Sequence, residues 1–418
     1  MPLRFSARIA LAALLTLPAL WLRLQGATSG PLLSILVNGG AVVGAAFLLA
    51  WAAEAAQKDI SGNLALALLA LIAVLPEYAI DLYFGYSAGH DPQAARYAAA
   101  NMTGSNRLLL GFGWPLVLFL LYAGKKRRAR NSAPGAARIH SNPQAELHSQ
   151  VHSAIVPEIV LDPSRRVELG ALGLASLWCL FIPFRGHIGL VDAAALLSLF
   201  GAYLFRASRE EQHEPELVGT AHALGELPKA RRRAALLALF VFAALSILAA
   251  ARPFADALVH GGKALGLDEF LLVQWLAPFA SEAPEFLVAA ILALRGNGDA
   301  ALGALLSSKV NQWTMLVGSL PLAHLFGGGS GALPLDARQF EELLLTATQA
   351  LLGFAVLCDL RLRLWEALLL LALFASQLCF TQTEVRLAFS AAYAVLAAAI
   401  LLSKLPELKQ IARAAVAR

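Results

Sequence analysis

Two carboxylates lie in stretches of chain that are otherwise suited to lipid. Glu77 follows Pro76 inside one long apolar stretch, and Glu285 follows Pro284 inside another in the second half of the chain. An ionisable side chain in the hydrocarbon is costly, so its presence there points to an ion or substrate pathway. Each proline removes a backbone N–H and clashes with the carbonyl four residues back. The carbonyls so freed are those of Ile72 and Ala280, and in lipid such groups must find another partner. Hard cations take carboxylate, carbonyl and hydroxyl oxygens, and these two segments offer all three.

Further polar residues fall in register with the glutamates. Asp81 is one helical turn after Glu77, and Glu282 is three residues before Glu285, so each pair shares a helix face. Between 20 and 30 residues beyond each Pro-Glu pair comes a small-polar cluster, Thr103-Gly104-Ser105-Asn106 in the first half and Ser307-Ser308-Lys309 in the second. Ser307, Asn311 and Thr314 form one helical stripe, and Ser308 and Gln312 form another. A polar stripe on a membrane helix should face a cavity or a neighbouring helix. Asp192, Asp256 and Glu366 lie nearer expected helix ends and read as solvated. Asp81 is open between a ligand and a position in a solvated outer vestibule.

The elements that must hold these groups are read from composition. The chain has 418 residues, of which 58% are hydrophobic and 15% charged, against roughly 25% charged in soluble domains. Its mean hydropathy is +0.65. This describes a polytopic, all-α membrane protein. The net charge of +5 comes from loop clusters of the kind that orient a chain in the bilayer, so nucleic acid is not an expected partner. Cys179, Cys358 and Cys379 show no metal or disulfide spacing, and no cofactor is expected.

With ~20 residues needed to cross the hydrocarbon, about twelve segments qualify. They are 7–25, 31–56, 63–88, 93–123, 168–184 and 188–206, then 234–264, 267–294, 299–326, 340–358, 363–379 and 384–403. The first is read as a membrane helix rather than a signal peptide, because no small-residue cleavage site follows it. Segment 93–123 is either one long broken helix or two pieces, since Gly111, Gly113 and Pro115 interrupt it. The basic runs Lys125–Arg130 and Lys229–Arg233 should be cytoplasmic. Two spans lie between them, so the parity agrees and both termini fall inside. The hydrophilic loop 124–167, with His140, His148 and His152, reads as a solvated linker.

The halves repeat an order of features: a helix with paired glycines (Gly39-Gly40, Gly261-Gly262), a Pro-Glu helix, then a small-polar helix. Five spans per repeat invert the second copy, which brings the two glutamates to mid-membrane from opposite sides. The expected organisation is an N-terminal helix (1–30), a first repeat (31–206), a linker (207–233), a second repeat (234–380) and a terminal helix with a basic tail (381–418).

At these motifs the chain resembles the sodium/calcium exchanger family of the cation/calcium antiporter superfamily. The family pattern is Gly-Thr-Ser-x-Pro-Glu on one helix and Gly-Asn-x-x-Gly-Ser-Asn on the next, in both repeats. Here the first copy reads Ile72-Ala73-Val74-Leu75-Pro76-Glu77 and Ala100-Asn101-Met102-Thr103-Gly104-Ser105-Asn106. The second reads Ala280-Ser281-Glu282-Ala283-Pro284-Glu285 and Gly303-Ala304-Leu305-Leu306-Ser307-Ser308-Lys309. The resemblance implies a metal site drawn from Glu77, Glu285, Glu282, Asp81 and Ser105. It adds Asn101, Asn106, Ser281, Ser308 and Gln312.

The departures alter the chemistry. Ala73-Val74 removes two hydroxyl ligands, and Glu282 adds a carboxylate where the family has serine. Leu109 and Gln312 stand where the family places a polar or acidic ligand. Lys309 replaces an asparagine. An ammonium has no lone pair to give a metal, so Lys309 is expected to act as a tethered positive charge. Close carboxylates out of water readily share protons. The expectation is therefore exchange of a cation, calcium or monovalent, for protons across a bacterial inner membrane. Sodium/calcium exchange at a modified site and a non-transporting relic are the alternatives. An intramembrane enzyme is disfavoured, since the spans hold no Ser-His pair or His-x-x-x-His cluster. Arg107 reads as a packing or gating charge.

Overall fold

The computed structural model describes residues 3–26, 30–59, 75–132, 158–207, 217–266 and 268–416. The His140, His148 and His152 loop, Ile72 and the first part of span 63–88 lie outside the described residues. Helices α1 (Leu3–Gln25), α2 (Pro31–Ala56) and α3 (Leu75–Ser87) come first. Helix α4 (Ala94–Leu108) passes through a π turn, Leu109–Gly113, into α5 (Trp114–Ser132). Next are α6 (Arg166–Arg185), α7 (Leu190–Ala207) and the short α8 (Gly219–Gly225).

The second half opens with α9 (Lys229–Leu265), α10 (Glu269–Ser281) and α11 (Ala283–Leu294). Helix α12 (Gly298–Asn311) runs through a second π turn, Gln312–Leu316, into α13 (Val317–Phe326). The chain ends with α14 (Ala337–Leu357), α15 (Leu364–Leu378), α16 (Thr383–Ser403) and α17 (Leu405–Val416). The described parts of the expected spans thus fall on helix apart from a few end residues. Among the described residues, eight helices are long and apolar enough to cross a membrane, and nine if the bent pair α10–α11 is one span.

Two short antiparallel pairs clip the loops at the ends of α6. Strand β1 (Glu158–Val160) pairs with β4 (Arg361–Arg363), and β2 (His187–Ile188) with β3 (Leu333–Pro334). Large apolar side chains face outward along several helices, among them Leu14 on α1, Leu248 on α9 and Val395 on α16. Polar side chains are turned inward: Asp81, Asn101, Ser105, Asn106 and Gln312 have no exposed surface. This inversion of the soluble pattern is what a lipid solvent demands.

The two π turns show the repeat directly. Each begins three residues after its matching position, Asn106 in one half and Lys309 in the other. Segment 93–123 is therefore one helix with a widened turn. The glycines there serve packing instead of a break: a side chain on Gly111 would run into Phe374, and one on Gly113 into Phe286. The genuine break lies between α10 and α11, which bend by 52° at Ser281–Glu282.

Pro278 contributes to that geometry from inside α10. Its ring cannot bond the carbonyl of Gln274 four residues back. Helix α4 packs onto that carbonyl through Gly104, where a Cβ would sit 1.7 Å from the Gln274 oxygen. The missing side chain lets the two backbones approach closely, as small residues do between membrane helices.

Candidate cation site

The site is assembled from elements of both repeats. Helix α3 brings Glu77 near its start and Asp81 one turn later, while α4 brings Asn101 and Ser105. The α10–α11 break brings Glu282 and Glu285. Gln312 opens the second π turn. The wider turn carries its side chain between the repeats. Its Nε2 donates to Glu77 Oε2 at 3.1 Å and also to Glu282 Oε1. One amide thus bridges a carboxylate from each half of the chain. Tyr78 adds a second cross-repeat link, its hydroxyl 3.4 Å from the Asn311 carbonyl.

Around this bridge, Ser105 and Glu282 also front the Glu77 carboxyl, and Asn101 fronts Asp81. Glu285 lies close enough for the Glu77 charge to act on it. Many oxygens here are left without a hydrogen-bond partner among the described residues. They are Glu77 Oε1, both Asp81 oxygens, Asn101 Oδ1, Ser105 Oγ, Glu282 Oε2, Glu285 Oε2 and Gln312 Oε1. Buried polar groups are nearly always satisfied, so a concentration of bare oxygen acceptors is a surface prepared for a cation or proton. In this conformation no three His, Cys, Asp or Glu side chains of the described residues close on a common metal-sized point.

Lys309 reaches the pseudo-symmetric position of the other repeat. Its Nζ donates to Asn106 O at 2.9 Å and to Asn106 Oδ1 at 2.8 Å, and lies 4.9 Å from the Trp313 ring centroid. It makes no ion pair with a carboxylate among the described residues. Its charge still acts on Glu77. The side chain of Asn106 is engaged with Lys309 and with Met102 O.

Other expected members point elsewhere. Ser281 donates to its own helix, at Ala277 O and Pro278 O. Ser308 is buried, and no side-chain contact ties it to the cluster. The stripe of Ser307, Asn311 and Thr314 is divided: Ser307 bonds Glu168 at 2.8 Å, and Thr314 bonds Val310 O.

Two solvated readings, Asp192 and Glu366, are corrected, and the open reading of Asp81 loses its solvated alternative. Asp81 is fully buried beside the cluster. Asp192 is enclosed by Arg185, Trp178 Nε1 and the Gly189 N–H, and Glu366 by Arg363 and Lys404. A helix-end acid becomes buried when neighbouring cations and N–H groups replace water.

Sequence reasoning missed Glu342. It has no exposed surface, and it pairs with both Arg107 and Arg386 and accepts from Gln274 at 3.0 Å. Its place inside an apolar span was the available signal. Arg107 is thus held in a buried ion pair, as either a packing or a gating charge would be. Glu54, near the end of α2, was missed as well; its charge acts on Glu285.

The chain matches the family model described as sodium/calcium exchanger protein over residues 30–208 and 235–382. It belongs to the sodium/calcium exchanger family. The crystal structure of the H+/Ca2+ exchanger CAX superposes with a TM-score of 0.87 at 38% identity, covering 99% of this chain and 98% of that one. The Ca2+/H+ antiporter protein YfkE gives a TM-score of 0.57 at 15% identity, covering 94% and 99%. A sodium-calcium exchanger soaked with Na+ and Sr2+ gives 0.51 at 16%, covering 84% and 99%. These last two share the fold. No curated protein sequence matches the chain. Family membership and the apolar helices make it an integral membrane protein of a group of cation exchangers.

Proposed function

We propose that this protein is a secondary transporter that exchanges a cation, calcium foremost, for protons by alternating access. It would work in a bacterial inner membrane with both termini in the cytoplasm. The carrying observation is the set of eight unpartnered oxygens from seven buried or half-buried residues of the two repeats. Calcium takes about six to eight oxygen ligands in flexible geometry. The donor set is all hard oxygen, with no thiolate or imidazole. The 38%-identical relative named an H+/Ca2+ exchanger supports the same pair of ions.

Charge balance supplies the mechanism. Glu77, Asp81, Glu282 and Glu285 offer four carboxyls, and Lys309 offers one fixed positive charge. A low-dielectric site tolerates little net charge, so an unloaded site holds protons and a divalent ion expels about two of them. Lys309 spares the site one proton in both states. Gln312 holds Glu77 and Glu282 toward each other, so a cation drawing on both carboxylates draws the repeats together.

The test is flux in proteoliposomes holding a pH-sensitive dye, with calcium, sodium, potassium and magnesium offered in turn. Calcium uptake coupled to proton release, abolished by Glu77→Gln and Glu285→Gln together, is the expected result. Calcium movement driven by a sodium gradient and indifferent to pH would replace this reading with sodium/calcium exchange. Failure to bind or move any labelled cation would make the chain a relic of its family.

A further inference from the structure

A cavity of about 680 Å³ lies between α10, the α4–α5 helix and the end of α15. Its walls are apolar, and Leu276, Phe279 and Leu378 among them are exposed on the outside of the bundle. Its floor is built from Arg107, Arg386, Gln274 and Gln377, each less than a tenth exposed. Both guanidinium groups are shared by the one carboxylate of Glu342, which leaves one positive charge over. The neighbouring carboxylate, Glu341, accepts from Thr383 and does not line the cavity. Among the described residues the Gln377 amide has no partner at either its nitrogen or its oxygen, and Gln274 Oε1 has none.

The Gln377 nitrogen is a buried donor with nothing to bond, and beside a positive charge left over it calls for an anion that accepts its hydrogen bond, while the amide oxygens are left to water. The long apolar wall leading away from it requires that anion to carry a chain. We propose that this cavity binds a free fatty acid, which enters sideways from the bilayer with its carboxylate on Arg107, Arg386 and Gln377. The volume lies within the roughly 300–1,000 Å³ of small-ligand pockets, which is room for one acyl chain. A phospholipid would have to bring its glycerol and second chain to the same floor. The site adjoins the candidate cation site: Arg107 follows Asn106, and Gln274 stands on the helix that ends at Ser281, just before Glu282.

Trp275 lines the cavity and reports on it. The experiment is quenching of tryptophan fluorescence in the full-length protein by dibromostearic acid, taken as wild type minus Trp275→Phe. Saturable quenching is expected, roughly tenfold weaker for the methyl ester because the charged hydrogen bonds are lost. It should also weaken in Gln377→Leu and in Leu272→Phe, which narrows the cavity without adding a tryptophan. Unchanged melting temperatures would show both variants to be folded. Equal quenching by acid and ester would overturn the proposal, since any chain would then serve. So would displacement of the acid by brominated phosphatidylglycerol at lower concentration, which would assign the cavity to a phospholipid, or quenching that never saturates.

Discussion

The Gln312 amide donates to an acid of each repeat, so replacing it tests whether that bridge builds the site. Gln312→Leu keeps the bulk and removes both donors, to Glu77 Oε2 and to Glu282 Oε1. A hydrogen bond to a charged group contributes about 1.5–3 kcal/mol. The two carboxyls can share a proton when no cation is bound, so the two bonds do not count at full value together. Only the strengthening of these bonds when both carboxylates are ionised in the loaded site counts toward affinity, about 1–2 kcal/mol, which corresponds to calcium binding roughly 5- to 30-fold weaker. The assay is initial calcium uptake into proteoliposomes against calcium concentration, at a fixed pH gradient. Thermal melting of the purified variant separates misfolding from a loosened site. Gln312→Glu is the companion. It places a third carboxylate between Glu77 and Glu282, so calcium binding should become more strongly pH-dependent. A folded Gln312→Leu variant with calcium affinity within threefold of wild type would refute the bridge, as would tighter binding.

Four further outcomes follow from named contacts. Gly104→Ala puts a methyl group 1.7 Å from the Gln274 carbonyl; two backbones must separate, and yield and melting temperature should both fall sharply. Glu342→Gln leaves Arg107 and Arg386 without their shared carboxylate, a loss of about 3–5 kcal/mol that calorimetry would read as a lower melting temperature. Lys309→Met removes the fixed charge and its two bonds to Asn106. Without that cation the neighbouring carboxyls hold their protons to higher pH, so the optimum of calcium/proton flux should move to higher pH. Outside the membrane, the hydrogen bonds from Arg232 hold the Asp59 carboxyl below its ordinary range. Its contribution is present above the unfolded value of about 3.9 and is lost as pH falls through the lowered folded value. The difference in melting temperature between wild type and Asp59→Asn should therefore shrink below about pH 4.

Helices were legible in the sequence because lipid imposes a simple rule: each span must be long, apolar and internally bonded. Glu77 and Glu285 were legible for the same reason, as exceptions to that rule. What stayed hidden was the direction in which polar side chains point once a helix departs from ideal geometry. A regular helix at Gln312 would align it with Ser308, yet the π turn begins there and Gln312 reaches Glu77 and Glu282. Nothing in the local residue types announces that turn; only its counterpart after Asn106 gives it away, and only once both are seen. Lys309 shows the same limit. Its substitution for asparagine was visible, and its charge suggested a carboxylate partner. Instead it bonds Asn106, the residue that holds the matching position in the other repeat. An inverted repeat brings equivalent positions face to face across its pseudo-axis, so a change in one copy is answered by the unchanged copy of the same residue. In a duplicated fold the partner of a divergent residue is best sought first at its own symmetry mate.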